Sequence, residues 1–587
     1  MTLAHSQTAF ISGRTLVLLG CLLPLVVTGQ TTPQRLSLRE LPLGQSPPPT
    51  LAPWQRSLTP TGGWQVLEVT ADLTAGSLEV PVGSVIWAGI YPETLAKSAP
   101  SGLQIVGDIA APVPMVEELT PLKQDAQPLI VPPGLNLAQQ MQWTAFGVEE
   151  RVSAMDETDN TRWKMAVGSK PAGVYSATLW RLSRWPKGAA WKVSLTLSGQ
   201  GRVQVGLSAD TGKGHGDPRI LDDLSLTAQD STHSWQIPDE WLRARSLRLS
   251  LLSVSDQPVE VHIPSVSAAP QPGKGQEPAA SFRLGVWDWS ADPVRWTRLQ
   301  PLWKQAGIRI LQLALPREAE PSLETLKQLQ KDGFYLTAVE GDPHMILPEA
   351  QPAVLARHRE LAAWKGQGLD AVQYDVEPYL LPGFRLQPEA WHRQWASLYQ
   401  KLSTAGKISV EAVVPFWLLQ QKQGPILLEK LASTSRRIVV MNYRSDVVEA
   451  AAWGSAWLEW GAQHRLPISL AIECGPISDV PLHTFRTAPT GRLWVAPWPG
   501  RGTAVVLYAD AVSSSGPQAL TLAEVRQSLI PGTRTTLKGQ PPEAVAQLLR
   551  SLQEVARQMK LPTAVQPQFL LHEPEEALLK HLAEKPQ

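Results

Sequence analysis

A chain of 587 residues is too long for one compact core, so at least two domains are expected. Lys+Arg and Asp+Glu are balanced at 53 each, which leaves no basic surface for nucleic acid or an anionic membrane and points to a neutral partner. Tryptophan is the outlier, 23 residues against 8 each of Tyr and Phe, and flat indoles suit the apolar faces of sugar rings as well as they suit a core.

Residues 1–29 are predicted to be a secretory signal: Arg14 is the positive start, Thr15 to Val27 is apolar, and Val27-Thr28-Gly29 places small residues at the cut. The apolar run is interrupted by Pro24 and falls short of the ~20 residues that span a bilayer, so no membrane span is expected. Leu18-Leu19-Gly20-Cys21 resembles a lipobox, but most of the apolar stretch follows the cysteine. An exported protein, periplasmic or extracellular, is therefore expected before a lipoprotein. With the signal removed only Cys474 remains, so no intrachain disulfide is expected and packing alone must hold the fold.

Residues 30–62, with Pro47-Pro48-Pro49, read as an extended Pro-rich spacer. From 63 to 267 the chain reads as β structure, in two parts. WQVLEVTADL and SVIWAGIY alternate in the first; VYSATLWRL, AAWKVSLTLSG, GRVQVGLS, SLRLSLLS and VEVHIPSV form the second, a predicted β-sandwich. Its Trp163, Trp180, Trp185 and Trp191 resemble carbohydrate-binding modules in layout only. Ala268 to Ser281 is Pro-, Gly- and Gln-rich and marks a linker.

From 282 the pattern becomes strands alternating with helices, predicted at Phe282–Trp289, Ile308–Leu315, Tyr335–Gly341, Asp370–Glu377, Ile408–Phe416, Arg437–Arg444, Pro467–Gly475 and Thr503–Asp510. Eight strands in strict alternation predict a (β/α)8 barrel over 282–560, with 561–587 left as a tail. An open doubly wound sheet would favour a Gly-rich first turn, which Trp287-Asp288-Trp289 does not supply. The fold class is thus α/β, a C-terminal barrel preceded by an all-β sandwich-like region.

In such a barrel the chemistry sits where the strands end. Strand four closes on Gln373, Asp375 and Glu377, spaced by two, so the last two reach the mouth together. Neighbouring acids raise each other's pKa, as a general acid at neutral pH requires. Tyr443 and Arg444 end strand six, Glu473 ends strand seven, and Asp342 follows strand three. Trp287, Asp288 and Trp289 end strand one and Trp417 follows strand five. Carboxylates, a phenol and flat aromatics on one face make the inventory of a sugar site, so the expected partner is a polysaccharide or oligosaccharide. There is no HExxH, no paired cysteine and no Walker-type loop, so no cofactor or metal is expected; the dispersed Asp288, Asp342 and His344 read as hydroxyl ligands or rim ion pairs.

The segment GLDAVQYDVEPY resembles the strand-four signature of family 18 glycoside hydrolases, with Asp375 and Glu377 at the last two acidic positions, and VMNYR resembles that family's strand-six pattern. The barrel as a whole looks closer to less characterised bacterial glycosidase-like barrels. The resemblance implies that Glu377 protonates the leaving oxygen while Asp375 and Tyr443 orient an N-acetyl group of the substrate as nucleophile. Glu377-Pro378 and Glu473 also resemble the acid/base and nucleophile of the large clan of retaining (β/α)8 glycosidases, which implies a covalent route through Glu473. Gln373 stands where family 18 has an acid, and Arg444 where it has Asp or Asn. The expectation is an exported glycoside hydrolase. The alternative is a non-catalytic glycan-binding or exopolysaccharide-assembly protein in which Arg444 pairs with Glu377 and holds it ionised.

Overall fold

The computed structural model describes residues 85–584 apart from short stretches, the longest of them 272–281 and 381–387, together with strand pieces between 34 and 80. The expected signal lies outside the described residues, as does most of the expected spacer. Within the spacer, Gln34–Arg35 pairs with Glu79–Val80 and Leu38–Glu40 with Leu67–Val69.

The C-terminal part is a closed parallel barrel of eight strands: β1 (Arg283–Asp288), β2 (Ile308–Ala314), β3 (Tyr335–Glu340), β4 (Ala371–Tyr374), β5 (Ser409–Pro415), β6 (Arg437–Met441), β7 (Ile468–Glu473) and β8 (Gln568–His572). A helix follows or precedes each in alternation: α1 (Pro293–Gln305), α2 (Glu320–Lys331), α3 (Gln351–Ala363), α4 (Pro388–Ala405), α5 (Gly424–Thr434), α6 (Val447–His464), α7 (Pro542–Gln558) and α8 (Glu576–Glu584). The period of two in each strand sorts the side chains. Ile310, Val339, Val413, Val439, Ala471 and Leu570 fill the inside, while Leu311, Leu336, Val372, Ile438, Leu470 and Phe569 pack under the helices. Asp292 caps α1 by accepting from the backbone of Val294 and Arg295, with Pro293 at the first helical position.

The eighth barrel strand is not Thr503–Asp510 as expected. That run lies in Gly502–Ser513, part of a seven-stranded antiparallel sheet inserted between β7 and α7, and QFLLH closes the barrel against both β1 and β7. Barrel residues therefore continue past 560, and the expected tail contains β8 and α8. The misreading has a physical cause. Ala504 to Tyr508 is buried without a break, so both faces of this antiparallel strand are covered and it looks like a barrel strand in sequence.

The inserted sheet is completed from the other end of the chain: 85–91 pairs with 502–513, and 103–108 pairs with 480–487 and then with 115–121. The first β part of the sequence thus belongs with the insertion. The second forms an eleven-stranded assembly whose 20-residue strand, Trp191–Asp210, runs through both layers. It turns at Gly199 and Gly201, with φ of 138° and 93°, pairing first with Val259–Pro270 and then with Ser246–Ser253. That partner strand extends to Pro270, into the expected linker. Trp163, Trp180 and Trp191 are buried in this core, and Trp185 packs against the barrel, so the four indoles are structural here. The layers are held to the barrel flank by Glu459 of α6, which accepts from Ser183 Oγ at 2.8 Å and the Arg184 backbone at 2.9 Å. Among the described residues no helix is long and apolar enough to cross a membrane.

Candidate active site

β4 stops at Tyr374, one residue short of the expected acids. The Asp375 backbone still donates to Glu340 of the neighbouring strand at 2.8 Å, but Glu377 sits at φ 45°, left-handed backbone that a glutamate rarely adopts. The two acids reach the mouth because the chain turns after the strand and not through strand alternation alone. A short turn, Pro378–Leu380, then carries Tyr379 back so that its hydroxyl donates to Glu377 Oε1. Gly341 makes room opposite: a Cβ there would meet the Asp375 carbonyl oxygen at 2.7 Å and Trp289 Cη2 at 2.8 Å.

The other side of the mouth is built by the closing strands. Register pairs Glu473 of β7 with His572 of β8, and His572 Nδ1 lies 2.8 Å from Glu473 Oε2. The Gly475 backbone donates to Glu473 Oε1 at 2.6 Å, so both oxygens of this carboxyl are engaged. The imidazole meets Trp287 edge-on with centroids 4.8 Å apart, and Tyr443 lies 5.7 Å away. Together Asp375, Glu377, Tyr443, Glu473, His572 and Trp289 line a cleft of ≈ 500 Å³, whose outer wall includes Arg295, Lys538 and Glu573.

Burial dominates the electrostatics. Glu377, 9 % exposed, has its pKa raised to about 7: burial and the Glu473 charge push it up, while the Tyr379 hydroxyl and His572 hold it down. Asp375 is pushed well above the usual carboxylate range by burial and by Glu377. Burial works against the His572 cation, but the bonded Glu473 carboxylate, with Glu573 and Glu377 behind it, outweighs burial and raises its pKa. Burial, with the nearby carboxylates, keeps the Tyr443 phenol neutral.

The remaining expected site residues are dispersed. Gln373 is fully buried inside the barrel beneath the mouth, and neither amide atom has a hydrogen-bond partner among the described residues. Trp287 is equally buried and supports His572 from below. Asp288 accepts from the Ser290 backbone at 2.7 Å and pairs with Arg295 at 3.1 Å. Trp417 does not line the cleft; it packs edge-on against Tyr379 with centroids 5.1 Å apart. Asp342 caps the turn Pro343–Ile346 and bonds to His344, also outside the cleft.

Arg444 does not pair with Glu377. Its guanidinium lies 4.0 Å over the Phe416 ring and 3.4 Å from Glu449, and burial lowers its pKa to about 10. An arginine just past a barrel strand is drawn to the nearest flat face and carboxylate, here on the helical side.

His572 and Tyr379 were absent from the sequence reading. His572 was hidden by the misassigned eighth strand, although QFLLH between two helical runs is a strand signal. Tyr379 follows a proline two residues after the acid, and only the turn geometry brings its hydroxyl back.

No family model matches the chain, and no curated protein matches it. Among solved structures, a GH113 β-1,4-mannanase is similar at 9% identity and a TM-score of 0.31, over 53% of this chain and 100% of that one. The glycoside hydrolase domain of PelA from Pseudomonas aeruginosa is similar at 15% identity and a TM-score of 0.23, over 33% of this chain and 85% of that one. The CBM22-1–GH10 modules of Clostridium thermocellum endo-1,4-beta-D-xylanase 10B are similar at 9% identity and a TM-score of 0.24, over 57% and 80%. The structural neighbours thus include glycoside hydrolase domains, and likenesses this remote carry no argument about what the chain does.

Proposed function

We propose that the protein is an exported glycoside hydrolase acting on a polysaccharide or oligosaccharide, with Glu377 as the general acid. One observation carries this reading: a glutamic acid at the mouth of a closed barrel, nine-tenths buried, with its pKa raised to about 7 by burial. Such a group is still about half protonated at neutral pH and can give its proton to a glycosidic oxygen as the C1–O bond breaks. Trp289 and Tyr443 on the cleft wall supply the apolar faces that a pyranose ring stacks on.

Glu473 is the second carboxyl. The hydrogen bonds at its two oxygens fix its orientation toward the cleft, which supports it as the group that meets the developing positive charge at C1. A substrate-assisted route, with Asp375 and Tyr443 orienting an acetamido group, uses the same acid. The non-catalytic alternative was motivated by Gln373 and Arg444; of these, Arg444 is engaged with Glu449 and does not hold Glu377 ionised.

Glu377→Gln keeps the shape and removes the proton. Turnover of any glycan that the wild type cleaves is expected to fall by at least a thousandfold with binding retained, measured by product release and by calorimetry; unchanged turnover would overturn the assignment.

A further inference from the structure

The sandwich carries a cation that nothing in the fold matches. In its strands Ser246–Ser253 and Ala172–Ser176, Leu249, Leu251 and Val174 point into the core, so Arg248, Ser250 and Tyr175 stand on the outer face. Tyr175 pairs across the strands with Ser250 and Thr144, and the Phe146 ring lies 5.9 Å from its own. The Arg248 guanidinium lies 4.7 Å over the Tyr175 ring. Arg248 forms no ion pair among the described residues, whose ion pairs in the sandwich belong to Arg162, Lys164, Arg202 and Arg219. Its Nε is buried and has no hydrogen-bond partner, and neither has the hydroxyl of Ser250, which is 5 % exposed. Beside it stands His215, which bonds to Ser208 at 3.1 Å and to Ser246 at 2.9 Å and supplies no negative charge. An arginine keeps its proton at any working pH, so this charge is present and only a ring covers it.

We infer that this outer face of the sandwich is a second saccharide site that takes a sugar acid, its carboxylate on Arg248 and its ring against Phe146 and Tyr175. The site shares no residue with the barrel cleft. It rests on the barrel's glycan reading only in taking the acid to be a sugar acid. A guanidinium held on an aromatic ring keeps its N–H groups in one plane, the fork that a carboxylate meets with two parallel bonds. The half-buried Phe146 beside it offers the flat apolar surface on which a pyranose packs. A neutral sugar would use the rings and leave the charge unmatched, and a simple anion would do the opposite. A uronate uses both.

Titration calorimetry of the full chain carrying Glu377→Gln, which binds without cleaving, tests this at pH 7.5. The probes are hexamers of galacturonate, mannuronate and glucuronate, their neutral counterparts of galactose, mannose and glucose, and a hexamer of glutamate. At least one uronate hexamer is expected to bind tenfold or more tighter than its neutral counterpart and than the glutamate hexamer, and more weakly in 0.5 M salt. Arg248→Gln and, separately, Tyr175→Ala should each weaken that binding at least tenfold with the thermal midpoint near that of the parent, and Asp375→Asn in the barrel cleft should leave it unchanged. Binding of no uronate hexamer, equal binding of the neutral counterpart or of the glutamate hexamer, an unchanged affinity in a folded Arg248→Gln or Tyr175→Ala, or loss of binding in Asp375→Asn would overturn the inference. Its failure is distinguishable from that of the hydrolase reading. Uronate binding that needs Arg248, with no glycan cleaved by the wild type, keeps the sandwich site and removes the hydrolase, whereas cleavage that needs Glu377, with no binding that needs Arg248, does the reverse.

Discussion

A glutamate at φ 45° and nine-tenths buried loses stability twice, through backbone strain of about 1–3 kcal/mol and through desolvation of its charge. Folded Glu377 keeps its proton to about pH 7 while the unfolded residue loses it near 4.5. The folded state therefore binds the extra proton between those values, and stability falls as pH rises through that window. Glu377→Gln has no charge to desolvate. It should match the wild type near pH 4 and gain on it up to pH 8, where the difference is on the order of 3 kcal/mol in urea unfolding; a difference that does not change with pH would show that Glu377 ionises normally. Tyr379→Phe removes the hydrogen bond that holds the Glu377 pKa down, so the alkaline limb of the pH–rate profile should move to higher pH. Trp417→Ala should move it the same way by a smaller amount, since Trp417 reaches Glu377 through the Tyr379 ring that it packs against. The acid pair was legible in the sequence because strand-end position and spacing are local. Tyr379 was not, because its hydroxyl reaches Glu377 only through the turn at Pro378–Leu380.

At the scale of elements, seven barrel strands were legible because each is a short apolar run with a helical pattern before or after it. The eighth was not, because QFLLH is five residues long and competed with AVVLY, an equally buried run inside the longer strand Gly502–Ser513 of the insertion. The consequence is testable by truncation. A chain ending at residue 560 lacks β8 and α8, so β1 and β7 lose their shared partner and Leu578, Leu579 and Leu582 no longer cover the core. It should fail to give a cooperative unfolding transition by circular dichroism. A soluble, cooperatively folding fragment ending there would mean that closure by β8 is dispensable.

Across the whole molecule the chain interleaves its parts. Strands 85–91, 103–108 and 115–121 complete a sheet whose other four strands lie inside the barrel sequence, so the N-terminal half cannot be removed at the apparent linker without exposing sheet edges. The sandwich adds a second tie through Glu459. Glu459→Ala leaves Ser183 Oγ and the Arg184 N–H without their acceptor, at a cost of about 1–3 kcal/mol. Calorimetry should show a lowered midpoint, with the sandwich transition separating from that of the barrel; a single unshifted transition would show that the junction does not depend on this carboxylate.

The sequence by itself determined what is local: the switch from period-two strands to alternating strands and helices, hence an all-β part before a barrel, and two acids at the end of the fourth barrel strand. Only the tertiary structure decided which strand closes the barrel, that His572 faces Glu473, and that Arg444 turns away from the acids. His572 and Glu473 are 99 residues apart and meet because β7 and β8 share a register, which no local periodicity encodes. The proton affinity of Glu377 belongs to the same class. It depends on burial and on neighbours drawn from two strands and a turn, and so became legible only once those elements were packed around it.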